Sequence, residues 1–186
     1  KAGIKPGDVA LVIGAGTIGV VTALAALAGG CSAVIVTDIQ QAKLDVASQY
    51  EGVTGFDASR GDAVQFVMDQ TEGWGVDIVF EASGSPAVTL QLFDYICPGG
   101  CVVLIGMPEA PVTLDIVKAQ AKEARIETIF RYANVYPRAL SLMGSGKIDL
   151  TPLITETFAF DDSIKAYEYA VNPSPSSVKV QIKVAH

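Results

Sequence analysis

The sequence predicts an α/β fold: a doubly wound, three-layer domain in which helices cover both faces of a parallel sheet. Short hydrophobic runs alternate with amphipathic stretches along most of the chain, as they do when each strand is followed by a covering helix. The first of these runs, residues 9–13, is hydrophobic at every position, which is typical of a parallel strand buried on both faces. No linker divides the chain, so residues 1–186 are interpreted as one domain.

The composition supports a globular protein and argues against several functions. Half of the 186 residues are hydrophobic and 18% are charged, whereas disordered chains are polar and rich in charge. The 13 basic residues are outnumbered by 20 acidic ones, so the chain lacks the basic surface that nucleic-acid binding requires. No uninterrupted hydrophobic run reaches the roughly 18–20 residues that span a bilayer, and no membrane partner is expected.

Cysteine and histidine are scarce. Three cysteines and one histidine exclude a disulfide scaffold and favour a reduced, cytoplasmic compartment. A catalytic zinc ion takes three protein ligands, and the candidates here are Cys31, Cys97, Cys101 and His186. Cys97 and Cys101 flank a Pro-Gly-Gly turn at a spacing that resembles half a metal site. Small buried side chains are the favoured interpretation of both, so no metal site is predicted.

Strands and helices are predicted in alternation up to about residue 130, and the last third is less regular. The predicted strands cover residues 9–13, 33–37, 53–56, 76–80, 101–105, 125–130 and 177–184. The predicted helices cover residues 17–28, 40–50, 62–70, a segment that begins at Pro86, 135–143 and 163–170.

A glycine-rich turn, Gly14-Ala-Gly-Thr-Ile-Gly19, joins the first predicted strand to the first predicted helix. Gly14 allows a tight turn, Gly16 lets the backbone approach a diphosphate, and Gly19 lets the helix pack closely on the sheet. The unpaired amides of the first helical turn then face the phosphates. Asp38 ends the second strand 19 residues after Gly19, near the spacing of about 20 found in dinucleotide-binding domains. The alternative is a tight turn that binds nothing.

Asp38 predicts which dinucleotide binds. Its carboxylate can accept hydrogen bonds from both hydroxyls of the adenosine ribose. A 2′-phosphate in the same place would set two negative charges about 4 Å apart, at a cost of several kcal/mol with an effective dielectric near 20. No arginine lies within residues 38–41 to offset that repulsion. The sequence therefore predicts NAD rather than NADP.

Several segments together resemble the zinc-dependent medium-chain dehydrogenases, and among them the sorbitol and xylitol dehydrogenases. The segments are residues 3–8, 14–19, 81–84, 98–106 and 130–137, of which the last, Phe-Arg-Tyr-Ala-Asn-Val-Tyr-Pro, is the most selective for the polyol group. The resemblance implies that residues 1–186 are the Rossmann coenzyme-binding domain. It also implies that residues from about 150 to 186 return toward a GroES-like catalytic domain that is missing from this sequence.

The resemblance assigns roles to further residues. Ile18 would contact the diphosphate beside Gly14, Gly16, Thr17 and Gly19, and Lys43 would join Asp38 at the adenosine ribose. Main-chain groups of Ile105, Gly106 and Met107 would line the nicotinamide, and Ile129, Phe130 and Arg131 would close over the same ring. Arg131 and Tyr132 would also reach the hydroxyls of the substrate. For three residues a structural role is the alternative: core packing for Phe130, an ion pair for Arg131, and a hydrogen-bonded carboxylate for Glu81.

The function implied is oxidation of a polyol such as xylitol or sorbitol to a ketose, with hydride transfer to NAD. Zinc would be bound in the full-length enzyme by ligands outside this sequence, so residues 1–186 alone are expected to be inactive. Three alternatives remain: the same family acting on another secondary alcohol, such as threonine or butanediol; a non-catalytic NAD-binding module; and a structural or assembly role. A homodimer or homotetramer is also expected, formed by sheet edges at residues 112–114 and the fifth strand.

Overall fold

The structure, a computed structural model, describes residues 1–132 and 134–184. Six parallel strands form one sheet in the order β3-β2-β1-β4-β5-β6, which confirms the predicted doubly wound fold. The strands are β1 Val9–Ile13, β2 Ala33–Asp38, β3 Val53–Asp57, β4 Val76–Glu81, β5 Ile96–Leu104 and β6 Arg125–Thr128. The α-helices are α1 Thr17–Gly29, α2 Gln41–Ala47, α3 Ala63–Gln70, α4 Ile116–Ala121, α5 Tyr136–Gly144 and α6 Ser163–Val171.

The hydrophobic core lies on both faces of this sheet, which explains why its strands are hydrophobic at consecutive positions. In β1, Ala10 and Val12 pack into a cluster on one face together with side chains of α1 and α2. Leu11 and Ile13 alternate with them and pack into a second cluster on the other face, with side chains of α3 and α4. Successive side chains of a strand point to opposite faces, so a strand covered on both sides needs hydrophobic residues throughout.

Helix α1 follows the glycine turn and packs against the sheet with its small residues. Val20, Ala23 and Leu24 are buried on its inner face. The helix ends at Gly29 and is followed by Gly30, whose φ of 123° is a left-handed conformation that favours glycine. The predicted end at residue 28 is therefore correct to within a residue.

Four predicted elements differ in extent or type. Strand β5 begins at Ile96, five residues before its predicted start at residue 101. Strand β6 ends at Thr128, so Ile129 and Phe130 lie beyond the sheet and not in it. The segment after Pro86 is a 3₁₀ helix, Pro86–Gln91, where an α-helix was expected. Helix α2 is shorter than predicted, because residues 48–50 form a turn.

Two elements were not predicted at all. Helix α4 has only six residues, and its clearest signal is Asp115, whose Oδ1 accepts a hydrogen bond from the backbone N–H of Lys118 at 2.9 Å. Strand β7, Ile154–Ala159, has three polar residues in succession and pairs in parallel with β8, Lys179–Lys183, in a separate two-stranded sheet. Short, half-exposed elements of this kind carry little periodic signal.

The edge predicted for subunit pairing is wrong. Residues 112–114 form no strand, and β5 is an interior strand that pairs with β4 on one side and β6 on the other. The free edge of the sheet at this end is β6.

The C-terminal segment packs against the main body of the domain. Leu153 is buried in the α1-side cluster, and the hydroxyl of Thr17 donates a hydrogen bond to the backbone carbonyl of Val178. Within the segment, the carboxylate of Glu156 accepts hydrogen bonds from the Tyr169 hydroxyl at 3.0 Å and the Ser177 hydroxyl at 2.7 Å. Among the described helices, none has the length and hydrophobicity to cross a membrane.

Candidate functional site

A cleft opens at the carboxyl ends of β1, β2 and β4, where the strand order reverses. Its cavity has a volume of about 680 Å³ and is lined by the ends of these strands, by the start of α3 and by residues 83–95. Open α/β sheets bind ligands at this position, because the strands on either side of the switch point lead their connections to opposite faces. Gly14 and Asp38 both line the cavity, as the sequence predicted for a dinucleotide site.

The glycine turn brings helix α1 very close to the end of β1. A Cβ atom at Gly19 would lie 1.7 Å from the carbonyl oxygen of Gly14, so only glycine fits there. Gly14 itself has a φ of 106°. At Gly16, by contrast, a Cβ atom would meet no heavy atom within 4 Å, and its φ of −70° suits any residue. The space beside Gly16 is therefore open to a ligand.

The first turn of α1 presents unpaired backbone donors. The first amide to find an acceptor is that of Val20, which donates to the carbonyl of Gly16 at 3.0 Å. The amides of residues 17–19 have no acceptor among the described residues, and no acidic side chain lies in this turn. Free N–H groups at the positive end of a helix dipole form a site for a diphosphate. Thr17 contributes only its amide, since its hydroxyl is bound to Val178.

Asp38 is held in place by the glycine turn. Its Oδ2 accepts a hydrogen bond from the backbone N–H of Ala15 at 2.7 Å, and its Oδ1 accepts one from the N–H of Gln40 at 2.9 Å. An ionised carboxylate offers about four acceptor sites, so each oxygen can accept another donor. The carboxylate is thus fixed at the mouth of the cleft with acceptor capacity left for ribose hydroxyls. The spacing of Asp38 from the glycine turn did not predict its hydrogen bond with the amide of Ala15.

Glu81 organises the turn that faces the glycine turn. The side chain is 3% exposed, and its Oε1 accepts hydrogen bonds from the N–H groups of Ser83 and Gly84 at 2.8 and 2.9 Å. Its backbone carbonyl also accepts the amides of Ile105 and Gly106, both at 2.8 Å. These contacts support the structural alternative for Glu81, since the carboxylate holds the turn after β4 while the backbone carbonyl of the same residue holds the segment after β5.

The residues predicted near the nicotinamide lie after β5 and β6. Ile105 and Gly106 follow β5 directly and are fixed by Glu81, whereas the side chain of Met107 is exposed. The amide of Ile129 donates to the carbonyl of Leu104 at 3.0 Å, which keeps the segment after β6 beside the end of β5. The structure therefore brings the segments after β5 and β6 together at the carboxyl end of the sheet.

Phe130, Arg131 and Tyr132 form an exposed group beyond the carboxyl end of β6. Phe130 is 71% exposed, so the alternative that it belongs to the core is wrong. The guanidinium carbon of Arg131 lies 5.0 Å from the centroid of the Phe130 ring, and Arg131 forms no ion pair with any described residue. Tyr132 packs edge-on against Tyr136, with their ring centroids 5.1 Å apart. Both predicted substrate contacts are free to meet a ligand.

The other predicted residues at the adenosine end differ in position. Ile18 is exposed in the first turn of α1, where it can cover a bound diphosphate. Lys43 lies on α2, is half-buried and does not line the cavity. Its predicted contact with the ribose stays a prediction.

Several cavity residues escaped the sequence analysis. They come from the segments after β3 and β4 and from the residue before β5: Asp62, Ser83, Ser85, Gln91 and Tyr95. The serines follow the end of β4, and that position could have identified them as cleft residues. Tyr95 gave no such signal, because its backbone lies at the amino end of β5, whereas the cleft lies at the carboxyl ends of the strands. Only its side chain reaches the cavity.

The cysteines occupy buried positions away from the cleft. All three are free thiols, and burial raises the pKa of Cys31 to about 11. Burial, with the nearby Asp77 carboxylate, also raises the pKa of Cys97. Within residues 1–132 and 134–184, no group of three or more His, Cys, Asp or Glu side chains is placed to hold a metal ion. His186 lies outside the described residues.

The chain belongs to the zinc-binding dehydrogenases. The family profile of that name matches residues 17–145, which include the last three residues of the glycine turn, Asp38 and the segments after β4, β5 and β6. The resemblance seen in the sequence is thereby confirmed.

Among relatives, a D-xylulose reductase of Morganella morganii is 51% identical over 174 residues, which are 93% of this chain and 51% of the relative. A protein of Rhizobium meliloti with the provisional name D-xylulose reductase is 54% identical over 184 residues, 99% of this chain and 53% of the relative. The chain thus spans about half the length of the curated relatives it matches.

Two solved structures extend the comparison. The 2R,3R-butanediol dehydrogenase of Bacillus subtilis superposes with a TM-score of 0.91 at 27% identity, over 100% of this chain and 53% of that one. A protein of Sinorhizobium meliloti that was solved with bound NADP gives a TM-score of 0.88 at 28% identity, over 98% and 54% of the two chains. Both resemble this chain along its whole length.

Two alanine substitutions separate the two roles of the glycine turn. We expect Gly19→Ala to lower the free energy of unfolding by about 2–3 kcal/mol, because the new Cβ overlaps the Gly14 carbonyl. Gly16→Ala should cost no more than about 1 kcal/mol but should weaken dinucleotide binding at least about tenfold, since its Cβ enters the open space before the free amides. Urea unfolding and calorimetric titration with NAD measure the two effects. Equal binding by Gly16→Ala and the unsubstituted chain would contradict the assignment.

Proposed function

We propose that this chain is the NAD-binding part of a polyol dehydrogenase that interconverts xylitol and D-xylulose. The main support is the pairing of free α1 amides with the fixed Asp38 carboxylate in one cleft. Relatives that are 51–54% identical over the matched residues carry the name D-xylulose reductase, which favours a polyol and its ketose as the reacting pair.

The described residues fit the two ends of a dinucleotide. The amides of residues 17–19 would bind the diphosphate in the open space beside Gly16, and Asp38 would accept hydrogen bonds from the adenosine ribose. NAD, when bound, supplies the hydride acceptor for the oxidation of an alcohol. The part of this chain is to fix the position of that cofactor.

NAD is proposed over NADP because of the charge on Asp38. Its carboxylate faces the ribose position, and each oxygen already has one backbone donor, which keeps it oriented. A 2′-phosphate there would meet a negative charge that no arginine of residues 38–41 neutralises. A related protein does bind NADP, so this preference has to be measured for this chain.

We expect Asp38→Ser to weaken NAD binding about tenfold, through loss of hydrogen bonds to a charged group, and to bring the affinities for NAD and NADP closer together by about 100-fold. The measurement is calorimetric titration with each dinucleotide. Asp45→Ser is the matched control, because it removes the same charge from the neighbouring helix α2, where Asp45 pairs only with Gln41. Tighter binding of NADP than of NAD by the unsubstituted chain would reject the proposal.

The nicotinamide and the substrate are proposed to lie at the other end of the cleft, after β5 and β6. Main-chain groups of Ile105, Gly106 and Met107 would line the ring, and the segment of Ile129, Phe130 and Arg131 would close over it. The exposed, unpaired guanidinium of Arg131 and the hydroxyl of Tyr132 would bind substrate hydroxyls. The described residues offer no zinc site, and no step that needs zinc is assigned to them.

Arg131→Ala tests the polyol site in the active protein. We expect the KM for xylitol to rise about tenfold or more, because hydrogen bonds from a charged group are lost, while the KM for NAD changes less than about twofold. Arg138→Ala, an exposed arginine on α5, is the control and should change neither constant. Equal increases in both KM values would count against the role of Arg131 in substrate binding.

A second candidate is the oxidation of another secondary alcohol. The likeness to a butanediol dehydrogenase favours this alternative over the others. A substrate panel of xylitol, sorbitol, threonine and 2,3-butanediol distinguishes the two, since the proposed function requires the highest kcat/KM for a polyol.

The chain is also proposed to assemble as a homodimer or homotetramer in the cytoplasm. Strand β6 leaves one edge of the large sheet unpaired, with Ile126 exposed on it, and exposed strand edges favour pairing with another chain. The free thiols suit a reducing cytoplasm.

In sedimentation velocity we expect the unsubstituted protein to be at least a dimer and Ile126→Lys to shift it toward monomer, because a charge would be placed at the paired edge. Ile116→Lys on α4 is the control, because it places the same charge at an exposed isoleucine away from the edge. Monomers at every concentration of the unsubstituted protein would refute this assembly.

A further inference from the structure

Tyr95 is a buried tyrosine whose side chain lines the cleft. Its side chain is 3% exposed and packs among hydrophobic residues of the α3-side cluster, including Phe93 and Ile96. It nevertheless lines the cavity together with Asp38. The residue thus forms part of the floor of the cleft, although its backbone lies just before β5.

The hydroxyl of Tyr95 is unpaired and open to the cavity. No described residue donates a hydrogen bond to it or accepts one from it. Only Tyr50, among the described residues, has a side-chain polar atom that lacks both a partner and contact with solvent. The unpaired hydroxyl of Tyr95 therefore retains contact with solvent, and the cavity that it lines supplies this contact.

The order of groups along the cleft indicates which part of a bound dinucleotide would lie next to Tyr95. The α1 amides mark the diphosphate, and Asp38 marks the adenosine ribose. Beyond Asp38 the cavity continues between Ile39, Ala63 and Val88, which give it hydrophobic walls. The nicotinamide end lies on the opposite side, after β5 and β6. A flat base attached to the ribose at Asp38 therefore enters the space above Tyr95.

We infer that the hydroxyl of Tyr95 forms a hydrogen bond with the adenine base of the coenzyme and is a specificity-determining residue for it. Adenine presents ring nitrogens that accept and an exocyclic amine that donates, and a phenol can serve either. A cavity with hydrophobic walls and a few polar groups is the usual form of such a binding site. The inference rests on the proposed function, since it presupposes that the cleft binds a dinucleotide.

The chemistry of the residue is suited to this role at neutral pH. Burial, followed by the nearby carboxylates of Asp62 and Asp94, raises the pKa of Tyr95 to about 12. The phenol therefore stays protonated and keeps its donor. Because the cavity leaves this hydroxyl accessible, a ligand there can replace solvent as its hydrogen-bond partner.

Tyr95→Phe tests the inference because it removes only the hydroxyl. We expect this substitution to weaken the binding of AMP about 3- to 10-fold, the loss typical of one hydrogen bond between neutral groups. Binding of nicotinamide mononucleotide, which has a phosphate and a ribose but no adenine, should change less than about twofold. Calorimetric titration with the two mononucleotides and with NAD gives the affinities, and thermal unfolding of the free protein should show no loss of stability.

Tyr50→Phe is the matched control, since it removes an equally unpaired hydroxyl from outside the cleft and should leave all the affinities unchanged. If the unsubstituted protein binds AMP and Tyr95→Phe binds it equally well, the inference is wrong while the proposed function stands. If both mononucleotides are weakened equally and Tm falls, Tyr95 has a structural role and the inference is again wrong. If the unsubstituted protein binds neither AMP nor NAD, the proposed function itself fails.

Discussion

The contact between the backbone of Gly19 and the carbonyl of Gly14 is the constraint on which the cleft depends. It sets the start of α1 directly at the end of β1, so that the free amides of residues 17–19 face the crevice between β1 and β4. The hydrogen bond from the Ala15 amide to Asp38 then links the same turn to the end of β2. One turn thus fixes the positions of both the positive and the negative group of the site.

A second turn defines the other end of the cleft. Glu81 holds the amides of Ser83 and Gly84 with its carboxylate and those of Ile105 and Gly106 with its carbonyl. Its Oε1 also accepts the hydroxyl of Ser83, so three hydrogen bonds hold this turn at the point where the cleft turns toward β5 and β6. The exposed group of Phe130, Arg131 and Tyr132 lies beyond this turn. The proposed substrate contacts are therefore outside the part of the site that the hydrogen bonds of Glu81 hold in place.

Much of the fold could be predicted from the sequence because its signals are local. Continuous hydrophobic runs marked the buried strands β1 and β2, and the glycine spacing with Asp38 marked one end of the cleft. The two-stranded sheet of β7 and β8 and the short helix α4 were less accessible, because their stability comes from packing against distant parts of the chain. For the same reason the sequence did not predict that β5 is an interior strand. Nor did it predict that the side chain of Tyr95 lines the cleft, because the backbone of Tyr95 lies before β5.

The central claim is that the free amides of α1 bind the diphosphate while Asp38 binds the sugar. The most direct measurement is a titration of the isotope-labelled protein with ADP-ribose, followed through the backbone amide resonances. The account predicts that the amides of residues 16–19 and of Gln40 shift most, with one saturating affinity. Large shifts elsewhere, with these amides unchanged at saturation, would contradict it.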